Sequence, residues 1–246
     1  MLGTARLIRR SKKFTNHFEL MINLHLFSTP GDDLRDVVET AFPYLEGKKD
    51  PRVAYLPLAS LYAGKWHEAN RFAFKGLAQL AEINAELMTQ KEIENIIRDS
   101  ELVYITGGNT FLLNHRLYSS GIMPYLRRKI QNGLPLVGVN AGMIVCGPNV
   151  LSSSDMNTVE TKHFEGLNLS PFNFLAHYAP AEPERVLQDD WLSDYHFFHD
   201  NSVIMSSDSA YVAINGKKTT LVRGEAWILR KDSEKEKLEV GGTIVP

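Results

Sequence analysis

The segment of the sequence most suggestive of chemistry is Gly138-Val139-Asn140-Ala141-Gly142, which follows a run typical of a buried strand. A Gly-x-nucleophile-x-Gly pattern is typical of a sharp strand-to-helix turn, in which small flanking residues let the central side chain face the edge of a sheet. Here the central residue is asparagine. A carboxamide has no hydroxyl or thiol for a base to deprotonate, so Asn140 cannot attack a substrate as serine or cysteine does. The pattern therefore predicts a nucleophile's position that holds no nucleophile.

A second loop, Thr106-Gly107-Gly108-Asn109-Thr110-Phe111, also follows a strand-like run. Paired glycines let the backbone approach a substrate closely and leave N–H groups free to bind an oxyanion. The alternative is a tight turn that only begins the next helix. Ligands of open parallel sheets bind at the carboxyl ends of the strands, so both loops are candidates for one site.

A histidine and a carboxylate are the partners that such a turn requires. Where an elbow of this kind is catalytic, the acid and then the base follow the nucleophile along the chain. Asp155 and His177 fit that order. Spacing alone also allows Glu160 or His163.

These motifs together resemble the dipeptidase E family, the α-aspartyl dipeptidases, which are related to cyanophycinases and share the fold of class I glutamine amidotransferases. The resemblance covers residues 21–229, and its most specific parts are the two loops, Ser154-Asp155-Met156 and the segment around His177. It implies hydrolysis of short peptides with an N-terminal aspartate and without a cofactor. In the family, the attacking residue is a serine at the position that Asn140 occupies here. It also implies the following roles: His177 as the base, Asp155 as the acid that orients it, Gly108 and Ala141 as oxyanion N–H donors, and Gly107 and Asn109 as neighbours in the substrate-binding loop.

Asn140 is the main departure from the family pattern. Loss of the nucleophile lowers kcat by about 10⁶ in a serine protease, so we expect an impaired peptidase. The alternatives are a non-catalytic protein that binds a peptide or an acidic metabolite, and a structural or interaction protein with a vestigial pocket. The sequence does not decide whether Asn140 is natural or engineered. A second departure is the setting of Ser207-Asp208-Ser209, which leaves substrate specificity open, as do three candidate cations, Lys162, Arg185 and Arg223.

Strands alternate with helices from residue 22 to residue 139, which predicts right-handed βαβ units. One apolar stripe from Trp66 to Ala81 predicts a single helix over those residues. The run Ala85–Met88 predicts a strand. Asn215-Gly216 predicts a hairpin turn among the β-prone runs near the C-terminus. We therefore predict a three-layer α/β sandwich with a mostly parallel sheet, flavodoxin-like and similar to class I glutamine amidotransferases, with added antiparallel strands.

The 246 residues, of which 43% are hydrophobic, suit one globular domain. We predict a basic extension at 1–20 outside the fold, a single domain at 21–230, and a charged, mobile tail at 231–246. Cys146 is the sole cysteine, which excludes an internal disulfide.

The net charge of −2 and the lack of a long apolar run indicate neither a nucleic-acid nor a membrane partner. We expect a cytoplasmic protein whose partner is a small peptide or an acidic small molecule. No metal site is predicted, because His196 and His199 lack an evident third ligand. The sequence does not indicate the oligomeric state.

Overall fold

The computed structural model describes residues 21–31, 34–61, 64–179 and 181–246, without the side chains of residues 64 and 65. The predicted extension at 1–20 lies outside the described residues. Within them, no helix combines the length and the apolar character needed to cross a membrane.

The main sheet has eight strands, and the five at its centre and one edge are mutually parallel. In sequence order, these five are β1 (Asn23–Phe27), β2 (Arg52–Leu56), β3 (Gln79–Glu82), β4 (Leu102–Ile105) and β5 (Leu136–Val139). Their spatial order is β1-β5-β4-β2-β3. Strands β2, β4 and β5 consist almost wholly of buried apolar residues, as expected where both faces of a parallel sheet are covered.

Helices cover both faces of this sheet, which makes the three-layer arrangement. The helices of the first two-thirds of the chain are α1 (Arg35–Leu45), α2 (Gly64–Ala73), α3 (Gln90–Arg98), α4 (Thr110–Ser119), α5 (Met123–Gln131) and α6 (Ala141–Ile144). Apolar residues of α1 pack on one face with Val53 and Val137. Those of α3, α4 and α5 pack on the other face with Leu24 and Leu26. The predicted fold class is confirmed.

Three antiparallel strands extend the sheet beyond β1, and four more strands form a small second sheet. The remaining elements are β6 (Asn173–Leu175), α7 (Glu184–Phe198), β7 (Val203–Ser206), β8 (Tyr211–Asn215), β9 (Lys218–Arg223), β10 (Ala226–Leu229), β11 (Glu236–Lys237) and β12 (Thr243–Ile244). The extension runs β1-β8-β9-β12, and the second sheet is ordered β11-β10-β7-β6. The predicted turn at Asn215-Gly216 joins β8 to β9.

Three sequence predictions about elements need correction. The stripe from Trp66 to Ala81 is not one helix, because α2 ends at Ala73 and Leu80 and Ala81 lie in β3; Ala85–Met88 is not a strand. Nor are residues 231–246 only a charged, mobile tail, since β11 pairs with β10 and β12 pairs with β9. Glu236 and Lys237, which form β11, are exposed at the edge of the second sheet, where charge discourages pairing with other chains.

Candidate active site

The turn after β5 is the sharp strand-to-helix turn that the sequence pattern predicts, and its backbone is strained. Asn140 has φ +51° and ψ −109°, a conformation that non-glycine residues rarely adopt. A side chain on either flanking glycine would collide with backbone: a Cβ on Gly138 would lie 2.5 Å from the oxygen of Gly142, and one on Gly142 would lie 2.3 Å from that of Ile105. These close approaches hold the side chain of Asn140 at the carboxyl edge of the sheet.

The carboxamide of Asn140 is bound at both ends. Its Oδ1 accepts a hydrogen bond from the N–H of Ala141 at 2.5 Å and a long one from the N–H of Gly108 at 3.5 Å. Its Nδ2 donates to Nε2 of His177. The two N–H donors are those that the resemblance assigns to the oxyanion hole, so a carbonyl oxygen already lies between them.

His177 is bound on its other side by Asp208. Nδ1 of His177 lies 2.7 Å from Oδ1 of Asp208. Because an ionised carboxylate can only accept, the proton lies on Nδ1, and Nε2 is the acceptor that faces Asn140. The His177 side chain is 46% exposed and that of Asp208 73% exposed. This arrangement orients an imidazole toward position 140 at an open edge of the molecule.

The loop after β1 positions both of these residues. The N–H of His177 donates to Oγ of Ser28 at 2.8 Å, and that hydroxyl donates to the backbone oxygen of Ser206 at 3.2 Å. Oγ1 of Thr29 donates to the backbone oxygen of Asp208 at 3.1 Å. The loop thereby connects the end of the main sheet to the ends of β6 and β7, which carry His177 and Asp208.

Asp155 does not hold the place that the sequence analysis gave it. Its Oδ2 accepts from the N–H of Thr110 at 2.7 Å and from Oγ of Ser153 at 3.0 Å. A carboxylate at the first N–H groups of a helix satisfies free donors and interacts favourably with the helix dipole. The predicted pairing with His177 is thus corrected: Asp208 makes it, and Asp155 stabilises the start of α4.

Asn109 also needs correction. Its Oδ1 caps α4 by accepting from the N–H of Leu112 at 2.9 Å, and its Nδ2 donates to the backbone oxygen of Met156. Its N–H is bonded to the oxygen of Ala59 at 2.8 Å. Asn109 therefore supports the loop, whereas Gly107 and Gly108 line the cavity beside Asn140.

The other residues considered from sequence lie in different surroundings. His163 stacks on Tyr118 with ring centroids 4.4 Å apart, and Glu160 is exposed. The thiol of Cys146 is fully buried beside the oxygen of Gly142, and burial raises its pKa. His196 is hydrogen-bonded to the backbone oxygen of His199. No group of three or more metal-ligating side chains occurs in the part of the chain that the structure describes.

A cavity of about 320 Å³ opens beside Asn140 and His177. Much of its described wall is apolar or aromatic, formed by Leu34, Tyr55, Pro57, Trp66, Tyr104 and Val139. The side chain of Trp66 is 62% exposed although it is large and apolar. Burial raises the pKa of the Tyr55 and Tyr104 hydroxyls, so both stay neutral. The cavity is therefore suited to an organic ligand with an apolar portion.

The three cations named from sequence do not belong to the described wall of this cavity. Arg223 forms a bidentate pair with Asp36, at 2.8 and 2.6 Å, and this pairing lowers the pKa of the Asp36 carboxyl. Arg223, Asp36 and Asp208 line an adjacent depression of about 310 Å³. Arg185 lies 3.5 Å from Glu182.

Sequence reasoning missed Asp208, Ser28 and Thr29 as site residues. Asp208 had a signal, because it follows the β-prone run Val203–Met205 and the Ser207-Asp208-Ser209 segment already stood out. Ser28 and Thr29 follow the first strand, at the edge where the two loops were expected to meet. Their hydrogen bonds depend on the second sheet, which local pattern did not reveal.

Comparison with known proteins identifies the family of this chain. Residues 26–222, well over half of the chain, match the model of Peptidase family S51. The chain is 34% identical to "Peptidase E" of Nostoc over 137 residues, which are 55% of each chain. It is 29% identical to the "Probable alpha-aspartyl dipeptidase" of Drosophila melanogaster over 65% of this chain and 70% of that one. The chain spans about half the length of the first curated relatives that it matches.

A solved structure of a peptidase from an acI-B1 Actinobacterium has the same fold, with a TM-score of 0.70 at 18% identity, over 92% of this chain and 97% of that one. That likeness concerns the fold alone. The match over residues 26–222 decides the family, and the elbow, the glycine loop and the histidine all lie inside it. This chain is a member of Peptidase family S51.

Proposed function

We propose that the chain has the site of a peptidase E-type serine peptidase without its nucleophile, so that it binds short peptides but hydrolyses them very poorly. The observation that carries the proposal is the position of Asn140. Its side chain lies between the His177 imidazole and the N–H groups of Gly108 and Ala141. A serine hydroxyl would have to occupy that place to attack a peptide carbonyl.

With serine at position 140, each surrounding group has a defined task. His177 takes the hydroxyl proton as the oxygen attacks the carbonyl carbon, then passes it to the leaving amine. Asp208 holds the proton of Nδ1 and stabilises the imidazolium that forms. The N–H groups of Ala141 and Gly108 bind the oxyanion. With asparagine, the first of these steps has no attacking atom, and kcat falls by about 10⁶.

The proposed ligand is a short peptide with an N-terminal aspartate, as the name of the Drosophila relative suggests. The cavity beside Asn140 supports binding of the apolar portion of such a peptide. Arg223 supports recognition of the aspartyl carboxylate only in part, because Asp36 already neutralises it. We therefore expect weak discrimination between aspartyl and neutral dipeptides.

The direct test compares Asn140→Ser with the parent chain and with Asn140→Ala, using Asp-Leu, Ala-Leu and a chromogenic aspartyl amide. We expect turnover in the serine variant and almost none in the other two. Adding His177→Ala to Asn140→Ser should remove that turnover. Strong turnover by the parent would disprove the loss of catalysis, and no turnover by the serine variant would disprove an otherwise complete site.

Binding is tested separately, because a site can bind without hydrolysing. Thermal shift and calorimetry with the same dipeptides should show binding to the parent chain. Trp66→Ala removes the exposed aromatic wall of the cavity and should weaken that binding. Phe197→Ala, at a large exposed aromatic side chain that does not line the cavity, is the matched control. Absence of binding by any dipeptide would favour a structural role with a vestigial pocket.

A further inference from the structure

One amide of the site itself, the side chain of Asn140, lies between the N–H groups of Ala141 and Gly108 and the imidazole of His177. We propose that the site hydrolyses this side chain, so that Asn140 is a self-modification site that the protein converts to aspartate. The proposal goes beyond the proposed function and does not depend on peptide binding. It depends on how the carboxamide is held.

The carbonyl end of the carboxamide is activated for attack. Oδ1 lies 2.5 Å from the N–H of Ala141 and 3.5 Å from that of Gly108. N–H donors in this arrangement stabilise negative charge on an oxygen more than they stabilise a neutral carbonyl. Addition of water to Cγ would place that charge on Oδ1, between the two donors.

The nitrogen end contacts the group that a leaving amine needs. Nδ2 is hydrogen-bonded to Nε2 of His177, and Asp208 fixes the imidazole through Nδ1. Amide hydrolysis requires protonation of the leaving nitrogen, since an amide anion is a very poor leaving group. His177 is the one described side chain that contacts Nδ2 in this structure.

Water can reach the carbon between these two ends. Asn140 is only partly buried, and its side chain lines the 320 Å³ cavity. His177, on the same cavity, is 46% exposed in its side chain. Asn140 has a positive φ of +51°, and on either side of it the backbone packs closely, Gly138 against Gly142 and Gly142 against Ile105, which fixes the position of the carboxamide.

The step balances with water as the sole co-reactant. The water oxygen forms a bond to Cγ as the carbonyl electrons move to Oδ1, and the water proton passes to Nε2 of His177. Collapse of the intermediate breaks the Cγ–Nδ2 bond, and His177 returns the proton to the nitrogen, which leaves as ammonia. The products are the aspartic acid side chain, which ionises, and ammonia, which takes up that proton.

Spontaneous deamidation follows a different route and leaves a different product. There the following backbone nitrogen attacks Cγ, and the cyclic imide opens to a mixture of normal and β-linked aspartate. That route is fastest where asparagine precedes glycine, which has no Cβ to obstruct the ring. Asn215-Gly216, in the exposed turn between β8 and β9, is such a pair and serves as an internal reference in the same chain.

The experiment follows positions 140 and 215 by peptide mass mapping during incubation of the purified full chain at neutral pH, in ordinary and in heavy-oxygen water. We expect position 140 to become normally linked aspartate that carries one heavy oxygen, and position 215 to yield the mixed linkage.

In His177→Gln, the rate at 140 should fall by about 100-fold or more, as for loss of a general acid–base. The rate at 215 should not change, and His163→Gln, at an exposed histidine, should alter neither position.

If His177→Gln does not fold, Asp208→Asn tests the same dependence, since it leaves the imidazole in place but replaces the carboxylate that fixes its tautomer with a neutral carboxamide. Conversion already complete at purification supports the proposal if the His177→Gln protein still holds asparagine at 140. The proposal is overturned if position 140 remains asparagine while position 215 is converted. It is equally overturned if position 140 yields β-linked aspartate, or converts at the same rate without His177.

Discussion

His177 and His25 are two histidines with opposite surroundings. His177 is half exposed and paired with the carboxylate of Asp208. His25, in the middle of β1, is mostly buried between two tyrosine hydroxyls, with Nε2 at 2.7 Å from that of Tyr44 and Nδ1 at 2.5 Å from that of Tyr211. Burial without a charged partner lowers the pKa of His25 to about 4. The first histidine can transfer protons, and the second is a neutral part of the fold.

Asp208 and Asp155 differ in the same way, one lying in the site and the other in the fold. Asp208 is largely exposed and contacts His177, whereas Asp155 is partly buried and accepts from Thr110 and Ser153. Both side chains lie near the same edge of the sheet, so residue type does not separate their roles. The hydrogen-bond partner therefore decides whether a titratable group acts in the site or supports the fold.

Replacing each of the two aspartates in the proposed active background, Asn140→Ser, should separate their roles by the widest margin. Asp208→Asn should lower kcat by about 10⁴, as when the triad aspartate of a serine protease is replaced and the imidazole takes the wrong tautomer. Asp155→Asn, its matched control, should change kcat by less than about tenfold, since a carboxamide oxygen can still cap the helix. The measurement is steady-state hydrolysis of Asp-Leu by the three proteins. A larger loss with Asp155→Asn than with Asp208→Asn would reverse the assignment.

The sequence could predict the elbow but not the acid. The elbow is a local feature, because Gly138, Gly142 and the preceding strand are close together in the chain. The parallel pairing of β4 with β5 then brings Gly108 beside Asn140. Asp155 was chosen by chain order, whereas the contact of Asp208 depends on β6 and β7, a pair in a second sheet that only tertiary packing establishes. Asn109 and Asp155 are short polar residues whose two uses, ligand binding and helix capping, look alike in sequence.

The next effect concerns the pH dependence of stability at His25. Its pKa is lowered in the fold from 6.5 to about 4, so the unfolded chain binds the proton more readily. The stabilisation that the fold has while His25 is neutral in both states is complete above pH 6.5. It decreases as the pH falls toward 4, because the unfolded chain takes up the proton first, and is absent below that. One pKa unit corresponds to about 1.4 kcal/mol, which gives a loss of up to about 3 kcal/mol in the free energy of unfolding.

His25→Gln removes that titration but keeps a polar side chain between the two tyrosines. Urea unfolding of both proteins between pH 7.5 and 4.5 should therefore show a steeper decline for the parent, by about 2–3 kcal/mol over the interval. Titration of the carboxylates is common to both proteins and cancels in the difference. Parallel declines would mean that the fold does not lower the pKa of His25, and the contrast with His177 would fail.

A smaller effect is expected for the stability role of Asp155. Asp155→Ala leaves the N–H of Thr110 without its carboxylate acceptor at the start of α4 and should lower the free energy of unfolding by about 1–2 kcal/mol. Asp208→Ala, at a far more exposed side chain, should stay within about 0.5 kcal/mol of the parent. Urea unfolding at neutral pH measures both. Equal losses would show that Asp208 also supports the fold.

The smallest effect concerns Ser28, which is fully buried in the fold and yet contacts His177 of the site. Ser28→Ala removes the hydroxyl that accepts from the N–H of His177 and should destabilise the fold by about 1 kcal/mol. If the hydroxyl also aligns the imidazole, the same change in the Asn140→Ser background should lower kcat about tenfold with little change in KM, since a misplaced base affects the transition state alone. Ser153→Ala, which removes a buried hydroxyl beside Asp155, is the matched control. A loss of kcat with Ser153→Ala as large as with Ser28→Ala would show that general loosening of the fold is the cause, because of these two serines it is Ser28 that bonds to His177.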